Sequence, residues 1–186
     1  MITIPAIFWE RMLNEFEKNT RRVEQVAYLD GVILDDSEKC TGIVTTLTIP
    51  DATLERGRFE VSADAMSQAG KHFRLHRIAR IAQIHTHPTE WVGHSPWDDQ
   101  HAYSQVPGAI SIVLPNYARQ RRTLADAGVH LRNEDGWREL SVGEIGDRLR
   151  VIEGFLDFRK DSNEQQNILT PRRRPWWNPF AFFGNP

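Results

Sequence analysis

The chain has 186 residues, of which 40% are hydrophobic and 26% charged, and its formal net charge is −2. That length suits one domain with a sizeable core plus a modest appendage, and the balance of charge sets up no field to recruit nucleic acid or an anionic membrane. A single cysteine, Cys40, excludes a disulfide framework and a cysteine-rich metal site, and fits a reducing compartment. The opening stretch MITIPAIFWERMLNEFEKN acquires charges too early for a signal peptide. No run of about 18 apolar residues is present to span a bilayer, and the expected location is cytoplasmic.

Residues 5–19 place Phe8, Met12 and Phe16 on one face of an amphipathic helix, with Trp9 and Leu13 beside them. Residues 25–34 read as a strand, Asp35-Asp36-Ser37 as a turn, and 40–49, rich in Thr, Val and Ile, as a second strand ended by Pro50-Asp51. Residues 52–58 read as a polar loop. Ser62 suits the N-cap of a second helix, marked by Ala65, Met66, Ala69 and Phe73, that runs to about Leu75. A strand is predicted over 78–87, and Pro88 disfavours the helical region for His87. Pro96 suits the first position of a helix reaching about Gln105. Residues 109–114 form a nearly all-apolar, buried strand. The stretches 129–131 and 137–140 make a hairpin around Asn133-Glu134-Asp135-Gly136. A helix over 143–154 is predicted to close the domain. This order gives a mixed α+β (α/β) fold over residues 1–154, with a mixed central sheet flanked by helices. Residues 155–186 change composition, first polar and then proline-punctuated, basic and aromatic, and read as a C-terminal tail.

The informative stretch is Ile84-His85-Thr86-His87-Pro88, followed by six residues and then Ser95-Pro96-Trp97-Asp98. Histidines two apart on a strand leave the same face, with Cα atoms about 6.5–7 Å apart, so both rings can reach one ion. Asp98 adds an anionic oxygen. Two neutral nitrogens and a carboxylate are the donor set of a catalytic Zn²⁺ that keeps a position open. Each half has a plainer reading. The histidines alone could be polar residues on the solvent side of a strand, and Ser95-x-x-Asp98 alone is the pattern of a helix capping box.

The combination His-x-His-Pro, six residues, Ser-x-x-Asp resembles the signature of the JAMM (JAB, MPN+) zinc metalloproteases at every fixed position. The family also carries a pattern like Glu-x-x-Gly-x-Leu-x-Gly upstream. Here Glu24, Leu29 and Gly31 match it, and Ala27 replaces the first glycine. The resemblance covers roughly residues 1–150 and implies the three-layer fold of that family. It implies that His85, His87 and Asp98 bind Zn²⁺ with a water completing the tetrahedron. It implies Glu24 as general base and Ser95 as a hydrogen-bond donor to the oxyanion, a role worth about 3 kcal/mol in hydrolases. A hydroxyl has one donor and two acceptor sites, so capping and catalysis need not conflict. The implied activity is an isopeptidase or peptidase that cuts after the C-terminus of ubiquitin or a ubiquitin-like protein, as in small prokaryotic JAB-domain enzymes. Two alternatives are a RadC-like protein of DNA metabolism, against which the charge balance argues, and a catalytically silent MPN scaffold.

Other residues compete for roles. Asp99 is the rival to Asp98, but lies about 100° round the helix. His94 and His101 read as solvent-facing or supporting side chains. His72 and His76, four apart on a helix, have no third ligand in register and read as surface residues. Glu38, Glu55 and Glu60 are fallback bases without the glycine pattern. Trp91 and Trp97 flank the motif and either line a cleft or pack. Residues 171–186 have three readings: an arm packed on the domain, a docking segment for a partner protein, or a membrane attachment, which the prolines disfavour.

Overall fold

The computed structural model of the protein describes residues 1–35, 41–120, 122–154 and 156. Cys40, Glu38 and, apart from Leu156, the tail lie outside the described residues, and so do the three readings of that tail. Residues Met1–Gly154 form one compact unit. Among the described residues no helix is long and apolar enough to cross a membrane.

In chain order the elements are β1 (Ile2–Pro5), α1 (Ala6–Lys18), β2 (Val26–Asp35), β3 (Thr41–Thr48), β4 (Ala52–Leu54) and β5 (Phe59–Val61). Then come α2 (Ala63–His76), β6 (Ala79–Thr86), α3 (Pro96–His101), β7 (Ile110–Leu114), β8 (Gly128–Arg132), β9 (Trp137–Glu139), α4 (Val142–Arg148) and β10 (Leu149–Ile152). Eight strands form one sheet in the order β10-β1-β3-β2-β6-β7-β8-β9, and β4 and β5 form a separate antiparallel pair. The large sheet is mixed: β6 and β7 are parallel, while β2 pairs antiparallel with both β3 and β6. The fold is therefore a mixed α+β arrangement of a curled sheet with helices around it.

Local sequence explains most of these elements. Helix α1 buries Trp9, Met12, Leu13 and Phe16, the stripe its periodicity predicts. These side chains join one core cluster with Leu29, Ile84, Ile112, Leu114 and Val129 from the central strands. Strand β7 is buried at all five positions, as its unbroken apolar run requires. Ser62 caps α2, its side chain accepting a hydrogen bond from the Ala65 N–H at 3.2 Å.

Four expectations need correction. Residues 2–5 are a strand, and the first helix begins at Ala6. The stretch read as a polar loop contains β4 and leads into β5. The helix expected to run from 143 to 154 stops at Arg148, and Leu149–Ile152 instead pairs parallel with β1. The helix at Pro96 ends at His101 rather than near Gln105. Its early end has a visible cause in Tyr103. That backbone N–H donates to Gln83 Oε1 at 3.0 Å, and its hydroxyl donates to the Ile81 carbonyl at 3.2 Å, which draws the chain back onto β6.

Gly31 is required by packing. A β-carbon there would collide with the backbone carbonyl of Ile43 on the adjacent strand, where the β2–β3 register shifts. Backbone cannot swing aside as a side-chain tip can. Gly31→Ala is expected to destabilise the protein by about 3 kcal/mol, at the upper end of the usual overpacking cost. Urea unfolding checks this, and a change within about 0.5 kcal/mol would show that the strands separate easily.

Candidate metal centre

The site lies at the end of the central strands. His85 is inside β6, paired with Val26 of β2 on one side and Val113 of β7 on the other. The pairing continues past the strand ends: the Thr86 N–H donates to the Gln25 carbonyl at 3.1 Å, and the His87 N–H donates to the Leu114 carbonyl at 2.8 Å. Continuing the β2–β6 register sets Glu24 opposite His87, so the two share a face of the sheet. Glu24 is 3% exposed, and its N–H donates to the Glu55 carbonyl at 2.7 Å.

Asp98 arrives from α3. Ser95 and Asp98 form the capping box that their spacing predicts, and that box also orients the carboxylate. Asp98 Oδ2 accepts from the Ser95 N–H and from the Ser95 hydroxyl, each at 2.7 Å. Oδ1 lies 3.3 Å from His85 Nε2, and Oδ2 lies 3.3 Å from His87 Nε2. The two Nε2 atoms are themselves 3.3 Å apart. The two readings of Ser-x-x-Asp, cap and ligand, are thus compatible in one residue pair.

The two Nε2 atoms lie 3.3 Å apart, the edge of a tetrahedral metal face, and each lies 3.3 Å from a different oxygen of the Asp98 carboxylate. Donors about 2.0–2.1 Å from a tetrahedral ion, as imidazole nitrogens lie from zinc, sit about 3.3 Å apart along each edge. The three residues are buried, and their ligand atoms lie within 4.8 Å of one another, so they could hold a metal ion. The donor chemistry also fits. Two imidazole nitrogens 3.3 Å apart need a proton or a metal cation between them, since two facing lone pairs repel.

Electrostatics set each protonation state. Burial alone would raise the pKa of Asp98, but hydrogen bonds with His85, His87 and Ser95 hold it well below the usual carboxylate range. Burial pushes His85 down, against the opposing pull of Asp98. For His87 burial also pushes down, but Asp98 and Glu24 outweigh it and its pKa is raised. Burial pushes Glu24 up to about 8, with His87 pulling the other way and Asp98 adding to the rise.

The flanking residues divide clearly. Asp99, the rival ligand, turns away from the group and its Oδ1 sits 3.0 Å from His94 Nδ1. His94 is not solvent-facing. Its ring stacks on His130 at 4.1 Å, lies 5.0 Å from Trp137, and is 5.9 Å from the His85 ring. Burial and the neighbouring histidines push it down to about 3, so it is neutral. His101 stacks on Trp97 at 3.6 Å, and Arg58 sits 5.5 Å over the Trp97 ring. Trp91 stacks on His87 at 5.0 Å yet is 54% exposed, so it walls the site with one face and meets solvent with the other. His72 and His76 lie against each other on α2, with ring centroids 4.3 Å apart. Glu55 binds Arg58 on the surface.

The sequence reading missed what fastens the motif loop. His130 on β8 has Nε2 2.9 Å from the Val92 carbonyl, and a β-carbon on Gly128 would collide with that same carbonyl. On the other side of His87, Asn116, Tyr117 and Ala118 all adopt left-handed backbone angles, with φ of 51°, 57° and 56°. Three consecutive non-glycine residues there cost about 1–2 kcal/mol each. The turn is held by the Tyr117 N–H, which donates to the His87 carbonyl at 2.8 Å, and the Asn116 N–H, which donates to the Thr89 carbonyl at 2.9 Å. Neither β8 nor this turn lies near the motif in sequence, so no local signal marks them.

No family model matches the chain. Among curated proteins it is similar to a probable metalloprotease, y4jG, of Sinorhizobium fredii, with 36% identity over 64 residues, or 34% of this chain and 39% of the relative. The match therefore spans about two fifths of that relative's length. Among solved structures it is similar to a protein of Desulfitobacterium hafniense, with a TM-score of 0.59 at 19% identity over 82% of this chain and 94% of the other. It is also similar to a JAB1/MPN domain protein of Archaeoglobus fulgidus, with a TM-score of 0.45 at 12% identity over 81% and 97%. The likeness to the first of these is one of fold.

A buried His-His-Asp group that could hold a metal ion sits at the end of a curled mixed sheet. The complete His-x-His-Pro and Ser-x-x-Asp motif folds into the convergent group that its spacing requires, and in this it resembles the JAMM/MPN proteins.

Proposed function

We propose that this protein is a zinc-dependent peptidase or isopeptidase that cleaves after the C-terminus of a ubiquitin-like protein. The observation that supports it best is the convergence of the two Nε2 atoms, 3.3 Å apart, on the Asp98 carboxylate, with buried Glu24 just before β2 in register with His87. The substrate class rests on the family resemblance of the motif.

His85, His87 and Asp98 would hold the zinc, which would supply a Lewis acid able to acidify water and polarise a carbonyl. Glu24 takes the proton from the attacking water and returns it to the leaving amine, which balances the hydrolysis. A pKa raised by burial suits both halves of that task, since the group must accept and then release one proton. Ser95 donates to the oxygen that becomes negative. Its hydroxyl proton rests on Asp98 Oδ2 in this structure, so that role requires the O–H to rotate, leaving the Ser95 N–H to hold Oδ2 alone.

Stripping the protein with a chelator is expected to reduce cleavage of ubiquitin-like fusions, linear and isopeptide-linked, to background, and stoichiometric zinc is expected to restore it. Undiminished cleavage by the metal-free protein would remove the mechanism. Metal binding without cleavage of any such fusion would remove the substrate class.

A further inference from the structure

The two histidines of the metal group are supported unequally. His87 has Nε2 at the group and Nδ1 3.1 Å from the Trp91 carbonyl, so its second nitrogen has an acceptor that fixes both tautomer and ring angle. His85 also turns Nε2 to the group, but its buried Nδ1 has no hydrogen-bond partner among the described residues. Metal-binding imidazoles almost always donate the second N–H to a carboxylate, a carbonyl or water. One acceptor is therefore unaccounted for.

The nearby orphan is His94. Its Nδ1 faces the Asp99 carboxylate, which can only accept, so the proton of neutral His94 sits on Nδ1. That leaves Nε2 as a lone-pair acceptor, and this atom too is buried without a hydrogen-bond partner among the described residues. The two rings are 5.9 Å apart by centroids and make no direct hydrogen bond to each other, so a link between these nitrogens needs a bridging water. His94 cannot drift to solvent, because His130 and Trp137 pack against its ring.

We propose that His94 is a positioning residue for His85, accepting the His85 Nδ1 proton across one bridging water, with Asp99 fixing the tautomer of His94. The inference rests on reading His85 as a metal ligand. It assigns Asp99 a task its position on α3 does not announce: it orients a ligand from two residues away instead of binding the ion. Proton directions agree along the whole line, from His85 Nδ1–H to water, from water to His94 Nε2, and from His94 Nδ1–H to Asp99.

Zinc affinity, measured by chelator competition on the full chain, tests this without reference to activity. His94→Phe keeps the ring shape and removes the acceptor, and it is expected to weaken binding about 10–100-fold and to shift the visible absorption of the cobalt-loaded protein. His94→Gln restores an acceptor and is expected to stay within about threefold of wild type, whereas a merely structural role would be lost in both. Asp99→Ala changes an exposed side chain and is expected to weaken binding at least about threefold. Wild-type affinity in the His94→Phe or Asp99→Ala protein overturns the proposal, as does a His94→Gln protein as weak as His94→Phe. Imidazole nitrogen NMR of the wild type decides independently of any variant's folding: His94 protonated on Nδ1 is expected, and protonation on Nε2 overturns the assignment. Failure of the wild type to bind zinc would instead count against the proposed function.

Discussion

Glu24→Gln is expected to lower cleavage by about 10²–10⁴-fold while stabilising the metal-free protein at alkaline pH. The first effect follows from losing the proton acceptor. The second follows from burial, which lifts Glu24 from 4.5 to about 8 in the folded protein. Between those two values the folded state holds a proton that the unfolded state has released, so stability falls as pH rises. The contribution is fully present below about 4.5 and is lost as pH passes through about 8. Glutamine stays neutral throughout and escapes the loss. At pH 8–9 the metal-free variant should exceed wild type by roughly 2–4 kcal/mol, and near pH 4.5 the two should agree. Chemical denaturation of both proteins across that range is the measurement. Parallel stability profiles would show that Glu24 is not shifted by burial, and turnover within about threefold of wild type would show that it is not the base.

Removing a ligand should have the largest effect on metal content. Asp98→Asn keeps the size of the side chain and an oxygen for the Ser95 cap, but takes away the negative charge between the two histidines. Its affinity is expected to fall by more than the 10–100-fold typical of residues that only support a ligand, and cleavage should fall to background. Elemental analysis after dialysis should change from about one zinc per chain to near none. Retained stoichiometric zinc would mean that the carboxylate caps α3 and does nothing else. The wild type should also release a proton on binding. His87 carries a raised pKa, because Asp98 and Glu24 outweigh its burial, and the metal must displace that proton. Affinity should therefore drop as pH falls below the His87 pKa, by up to about tenfold per unit.

The His-His-Asp group was legible because Asp98 follows His85 by thirteen positions, and one strand, one loop and one short helix suffice to bring them together. Glu24 was legible only through a spaced pattern, since what places it is the β2–β6 register rather than anything local. His94 read as a supporting or surface residue because its environment is supplied by His130 and Trp137, more than thirty residues on. Strands β1 and β10 were missed for the same reason. Each is four residues long, too short to declare a period, and their pairing depends on a partner at the far end of the domain. The β4–β5 pair, three residues a side, reads as loop until Phe59 is seen buried against Val26 and Tyr28.

The parallel pairing of Ile2 with Leu149 has a bearing on synthesis. Every strand that frames the ligand group, β2, β6 and β7, precedes β10 in the chain, and β8 with its hold on the motif loop does too. The reactive end of the sheet can therefore assemble on the ribosome while β1 still waits for the segment that will close its edge. The β1–β10 seam cannot pair until residues 149–152 have been made, and it lies at the edge of the sheet, away from the central strands that carry the His-His-Asp group.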